Sequence, residues 1–130
     1  MTLLKQQVCR ACDASATDKA LLLNQDQAIE SLKQLKAQSA ESDNWQLVEE
    51  QGIQKLTAEF ATKRYKKSML FVNQIADLAE LVNHHPLMVV EYGLVGVQWW
   101  SHNLTGLSQN DFIMAAKTSA VFAEMAERKV

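Results

Sequence analysis

Three histidines are present in this chain of 130 residues, and two of them stand beside its only proline in His84-His85-Pro86. Imidazole titrates near neutral pH and can both give and take a proton, so acid–base catalysis is the first chemistry to consider. The third histidine, His102, lies on the far side of Gly93. If the chain folds back near Gly93 as a hairpin, His102 returns to the pair. A turn centred on Gly93 places His84 opposite His102, whereas a two-residue turn at Gly93-Leu94 places His85 there. Directly opposed residues have Cβ atoms roughly 4.5–5.5 Å apart, so one end of one hairpin is expected to gather all three imidazoles.

Two carboxylates belong with them. Glu80 precedes His84 by one helical turn and can touch its ring if a helix extends that far; otherwise it is an ordinary solvated glutamate. Asp111 closes Ser108-Gln109-Asn110-Asp111, an S-x-x-D capping box, where its carboxylate meets the positive end of the helix dipole. Three imidazoles with Glu80 or Asp111 could hold zinc or non-haem iron. Neighbours in an extended segment face opposite sides, however, so His84 and His85 are poorly placed to reach one ion, and metal-free acid–base work is the better expectation. Trp99 and Trp100 must likewise face opposite sides, one toward the core and one toward a planar ligand or a subunit interface.

The elements that must position these residues follow from periodicity and punctuation. Asn24 caps a helix with Gln27 reaching back, and Ile29, Leu32 and Leu35 fall on one face as far as Gln38. Trp45 to Glu49 and Ile53 to Phe60 flank Gly52 as a hairpin, with Leu56, Ala58 and Phe60 alternating against Thr57 and Glu59. From Lys63 to Val82 two apolar rows, Tyr65-Met69-Val72-Ala76-Ala79 and Phe71-Ile75-Leu78-Val82, make a broad helical stripe. Pro86 suits the first residue of a strand, after which Leu87 to Tyr92 and Leu94 to Trp100 form a second hairpin. A last helix opens at Ser108 and carries Phe112, Ala115, Ala116, Ala120, Phe122 and Ala123. The order α-β-β-α-β-β-α is that of an α+β fold, a four-stranded antiparallel sheet with helices packed on one face.

Composition supports one packed domain over residues 1–130, with residues 1–23 as an N-terminal arm. Hydrophobic residues make up 48% and charged residues 22%, which excludes a disordered or fibrous chain. The net charge of −2 lacks the clustered positive surface that phosphate backbones require. Lys63-Arg64-Tyr65-Lys66-Lys67 reads as a solvated helix start, so no direct nucleic-acid binding is expected. No apolar stretch is long enough for a secretory signal or a bilayer span, and a cytoplasmic protein with no membrane contact is expected. Cys9 and Cys12 form a lone C-x-x-C without the strand or second ligand pair of a redox or zinc site, and read as reduced thiols.

The run Glu80-x3-His84-His85-Pro86-x5-Tyr92-x9-His102-x8-Asp111 resembles the pterin-4a-carbinolamine dehydratases, also called 4a-hydroxytetrahydrobiopterin dehydratases. The likeness extends from about Trp45 to the C-terminus and includes Val95-x-Val97-x-Trp99-Trp100-Ser101-His102 and Gly106-Leu107-Ser108-x-Asn110-Asp111-Phe112. It implies dehydration of a 4a-hydroxytetrahydropterin to quinonoid dihydropterin, which recycles the cofactor of aromatic amino-acid hydroxylases and gives a functional link to phenylalanine hydroxylase. By this resemblance His84 and His102 are the acid–base pair, and His85 positions the pterin. Glu80 and Asp111 support the rings, with Ser101 and Trp100 as further substrate-binding or supporting candidates. The resemblance also implies that no metal or organic cofactor is needed and that the chain assembles as a homodimer or homotetramer. Several relatives are acidic where this chain has Asn83, so a charge there is no part of its chemistry. Two other functions fit the same likeness: a coactivator or binding module, and a pterin-binding protein of molybdopterin metabolism.

Overall fold

The computed structural model describes residues 4–7, 21–38 and 42–127. Its elements are α1 (Gln25–Gln38), β1 (Gln46–Glu50), β2 (Ile53–Ala61), α2 (Tyr65–Val82), β3 (Leu87–Val90), β4 (Leu94–Trp99) and α3 (Gln109–Glu127). All pairings are antiparallel, in the spatial order β1-β2-β4-β3. The fold is therefore the expected α+β arrangement, with the two hairpins joined through β2 and β4. Cys9 and Cys12 lie outside the described residues.

Alternation along the strands decides which face is covered. Leu56, Ala58 and Phe60 of β2 and Val95, Val97 and Trp99 of β4 are buried, and their register partners put them side by side under the helices. Phe60 packs against Phe71 of α2 and Phe122 of α3 with ring centres 5.0 and 5.1 Å apart. Tilted and edge-to-face contacts of this kind add to the burial of large rings. Of the two rows on α2, Phe71 and Ile75 are fully buried, whereas Tyr65 and Met69 are exposed. On α1 the reciprocal cap forms as expected, with Gln27 N–H donating to Asn24 Oδ1 and Asn24 N–H to Gln27 Oε1, but Ile29 faces solvent and Ala28 takes the buried place.

Two indole N–H groups pin α3 over the sheet. Trp45 Nε1 donates to Ser119 Oγ at 2.8 Å and Trp99 Nε1 to Thr118 Oγ1 at 3.1 Å. Asp111 lies two helical turns before Thr118 and so shares its face, which sets the start of α3 beneath the end of β4. The N-terminal arm is not wholly separate from this core. Leu4 is fully buried, its N–H donates to Gln38 Oε1, and Lys117 Nζ of α3 donates to the Lys5 carbonyl.

The register of the second hairpin differs from both expected alternatives. Val90 pairs with Val95, and the turn is Tyr92-Gly93, closed by Glu91 N–H donating to the Leu94 carbonyl at 2.8 Å. Gly93 has no positive φ, so the turn does not need its left-handed freedom. It is instead a point of close approach: a Cβ there would lie 3.3 Å from Lys63 Cα, and the Gly93 carbonyl accepts from both Thr62 N–H and Lys63 N–H. The turn therefore sits one residue earlier than a two-residue turn at Gly93-Leu94, and the pairing is one register step before the glycine-centred reading. Extended past Leu87 and Gln98, this register sets Asn83 rather than a histidine against His102. The first hairpin turns at Gln51-Gly52, with φ of 54° and 80°, the two positive values of a type I′ turn.

Candidate active site

The last turn of α2 delivers the histidine pair. Asn83 ends the helix in the left-handed region with φ 53° and ψ 43°, its N–H donating to the Ala79 carbonyl. Asparagine tolerates that conformation better than most side chains, so an amide at this position has a backbone reason. His84 N–H donates to the same carbonyl at 3.2 Å, and Pro86 then leads into β3. The chain leaves the helix extended, which sends the two imidazoles apart: His84 is buried, while the His85 side chain is 51% exposed.

His84 enters a closed polar network. Its Nε2 lies 2.7 Å from Asp111 Oδ1. The other carboxylate oxygen, Oδ2, accepts from Ser108 N–H at 2.9 Å and from Ser101 Oγ–H at 2.8 Å. Ser108 Oγ in turn lies 2.8 Å from Ser101 Oγ, which places its hydroxyl as donor to Ser101 because the Ser101 proton is committed to Asp111. A carboxylate holding two donors on one oxygen offers only acceptor capacity on the other, so the His84 proton resides on Nε2 and the lone pair on Nδ1. The ring lies nearly parallel to Trp99, with centres 5.4 Å apart. Trp99 thus has one job at each end, its N–H fastened to α3 and its face carrying His84.

His85 and His102 make the outer half. His85 Nε2 lies 2.8 Å from Glu80 Oε2, an exposed pair across the helix end. His102 opens a short 3₁₀ turn, His102–Leu104, held by the Ser101–Gly106 bridge, and its Nε2 donates to the His85 carbonyl at 3.3 Å. The Trp100 ring lies 4.3 Å from the His102 ring, and Lys55 Nζ stands 4.2 Å from the Trp100 ring centre. Each of the three imidazoles therefore meets its protein acceptor through Nε2, which assigns Nδ1 as the nitrogen available to a ligand. Among the described residues, no group of three or more His, Cys, Asp or Glu side chains is placed to hold a metal ion.

The candidates read from sequence fall into these two halves. His84, Asp111 and Ser101 meet below the sheet end, and His85, Glu80, His102 and Trp100 lie above it. Glu80 does not touch His84 as the one-turn spacing implied. The helix ends at Val82 and the chain turns through Asn83, so it is His85 that swings back over the last turn. His102 reaches His85 by a side chain to carbonyl bond instead of by facing a histidine across a ladder, because pairing stops at Leu87 and Gln98. Two participants went unread. Ser108 was visible only as a helix cap, and Lys55 is one lysine among many until β2 pairs with β4.

A four-stranded antiparallel sheet backed by helices thus gathers histidines and carboxylates where one helix ends and another begins, and imidazoles so placed can give and take protons. The model of the pterin 4 alpha carbinolamine dehydratase family matches residues 23–121. The chain belongs to that family of dehydratases. A protein from Saccharophagus degradans, provisionally named pterin-4-alpha-carbinolamine dehydratase, is 36% identical over 122 residues, covering 94% of this chain and 98% of that protein. One of the same provisional name from Vibrio cholerae is 40% identical over 113 residues, covering 87% and 94%. A crystal structure described as a transcriptional coactivator/pterin dehydratase from Brucella melitensis superposes with a TM-score of 0.66 at 30% identity, covering 77% of this chain and 97% of that one. No helix among the described residues is long and apolar enough to cross a membrane.

Proposed function

We propose that this protein dehydrates a 4a-hydroxytetrahydropterin to quinonoid dihydropterin and so recycles the cofactor of aromatic amino-acid hydroxylases. The observation that carries the reading is the His84–Asp111 contact of 2.7 Å, which fixes the ring's tautomer and leaves Nδ1 as its working nitrogen. In the reaction the C4a–O bond breaks and the hydroxyl leaves as water after taking a proton from a general acid. The nitrogen next to C4a gives its proton to a general base as the C=N bond forms. Nothing is oxidised, and one proton taken up balances one given back.

His84 and His102 are assigned those two roles through Nδ1, and His85, held by Glu80, positions the pterin. Asp111 stabilises the imidazolium when His84 carries the extra proton, and Ser101 keeps Asp111 aimed. Imidazoles meet both proton transfers, so no metal or organic cofactor is part of the proposal. A cytoplasmic homodimer or homotetramer, working alongside phenylalanine hydroxylase, is the setting proposed. The test follows the decay of chemically generated 4a-hydroxytetrahydropterin in a stopped-flow spectrometer, with and without protein. Acceleration is expected at micromolar protein, and an unchanged decay rate overturns the reading. A binding-module reading draws on the coactivator description of the Brucella protein. It is favoured instead if partner binding survives replacement of all three histidines while no acceleration is seen.

A further inference from the structure

The outer face of the sheet carries two packed side chains, Lys55 and Trp100, to which no part in the proton transfers has been assigned and which lead to His102. Lys55 of β2 stands with its ammonium 4.2 Å from the Trp100 ring centre, and its side chain is only 14% exposed. Lysine is seldom covered to that extent unless its charge has a partner. Here the partners are the indole face and Glu50, whose Oε1 lies 3.9 Å from Lys55 Nζ and also accepts from Gln98 Nε2 at 3.3 Å. Trp100 lies 4.3 Å from His102, whose Nε2 donates to the His85 carbonyl. A continuous path thus runs from the first hairpin to the imidazole at the end of the second.

The register explains why these groups meet. Leu56 pairs with Trp99, so one step further along the antiparallel pair sets Lys55 beside Trp100 on the face away from the helices. His102 follows Trp100 on a 3₁₀ turn whose own contacts leave its ring exposed. The hydrogen bond from His102 to a carbonyl fixes one ring atom but not the tilt of the ring about it. An indole against the ring fixes the tilt, and a cation held over that indole keeps the indole from turning away.

We propose that Lys55 is a positioning residue for His102, acting through Trp100. It touches no substrate; it holds the indole that sets the angle of the imidazole. The kinetic consequence rests on the dehydratase reading, but the geometric consequence does not.

The experiment compares wild type with Lys55→Met, which keeps length and loses charge, and Lys55→Arg, which keeps the cation and stacks well on an indole. Lys55→Gln is the second neutral variant should the methionine protein fail to fold. The first readout is the set of histidine ring proton resonances in NMR, assigned by loss of signal in His102→Ala and His84→Ala. In the neutral variants the His102 ring signals are expected to move as the indole ring current changes, with His84 signals unmoved and with restoration in Lys55→Arg. The second readout is dehydration kinetics, with kcat expected to fall about two- to fivefold, KM little changed and Lys55→Arg restored. Unmoved His102 signals in a folded neutral variant overturn the proposal, as do His84 and His102 signals that move together. If wild type shows no dehydration, the functional reading fails while the ring signals still decide the role of Lys55.

Discussion

Asp111 binds His84 with one carboxylate oxygen and caps α3 with the other. Oδ1 lies 2.7 Å from the imidazole Nε2, and Oδ2 accepts the Ser108 N–H that begins the helix. A residue whose sequence context accounts for it fully as a cap is thereby also the partner of a buried imidazole. The serine hydroxyls complete the set, so each donor and acceptor around the carboxylate is matched.

Replacing Asp111 by asparagine should cost both stability and activity, because an amide cannot accept from every group that the carboxylate serves. A buried donor left unpaired costs about 1–3 kcal/mol, which thermal or denaturant unfolding would register. The loss of a fixed tautomer at His84 should lower dehydration on the order of 10²-fold. Ser101→Ala should show the same pattern in smaller measure, and its kcat/KM relative to Asp111→Asn checks that the two act as one network.

Glu80 is expected to act on His85 and not on His84. The pair is exposed, so Glu80→Gln should change stability by no more than about 0.5–1 kcal/mol. In a double-mutant cycle on kcat/KM, Glu80→Gln should couple with His85→Ala and add independently to His84→Ala. Coupling to His84 instead would contradict the observed pairing.

Much of this fold is legible in sequence, and the misses share a physical origin. Period-two alternation identified Leu56, Ala58 and Phe60 as one face, and the caps at Asn24 and Ser108 marked helix starts, because these signals are local. The second hairpin slipped by a residue because Gly93 answers no φ requirement of the turn: it admits the Lys63 backbone, a contact from another element. The same non-local cause hid Lys55, which meets Trp100 only after β2 has paired with β4. For the candidate site, sequence arithmetic placed the three histidines at one sheet end, where the structure also has them. It could not assign Glu80 to His85, because that depends on where α2 stops and how Asn83 turns the chain.

Gly93→Ala should therefore destabilise the protein even though the glycine has an ordinary φ. A Cβ placed 3.3 Å from Lys63 Cα meets backbone, which must give by a few tenths of an ångström and is held by its hydrogen bond to the Gly93 carbonyl. Crowding of this kind at a half-buried turn costs about 1 kcal/mol, measurable as a lower denaturation midpoint with an unchanged slope.

At Asn83 the left-handed backbone sets the order of tolerated residues. Asn83→Gly should be nearly neutral, whereas Asn83→Val should lose about 1–2 kcal/mol and lower activity by displacing the histidine pair that follows. Equal stability of the two variants in urea unfolding would remove the role given to the turn.

The central claim is that His84 and His102 carry the two proton transfers, and single-turnover decay of 4a-hydroxytetrahydropterin with His84→Ala and His102→Ala tests it most directly. Both variants are expected to fold, to bind the pterin and to lose most of the acceleration given by wild type, on the order of 10²–10⁴-fold for each role. Full turnover in either folded variant would contradict the assignment of that histidine.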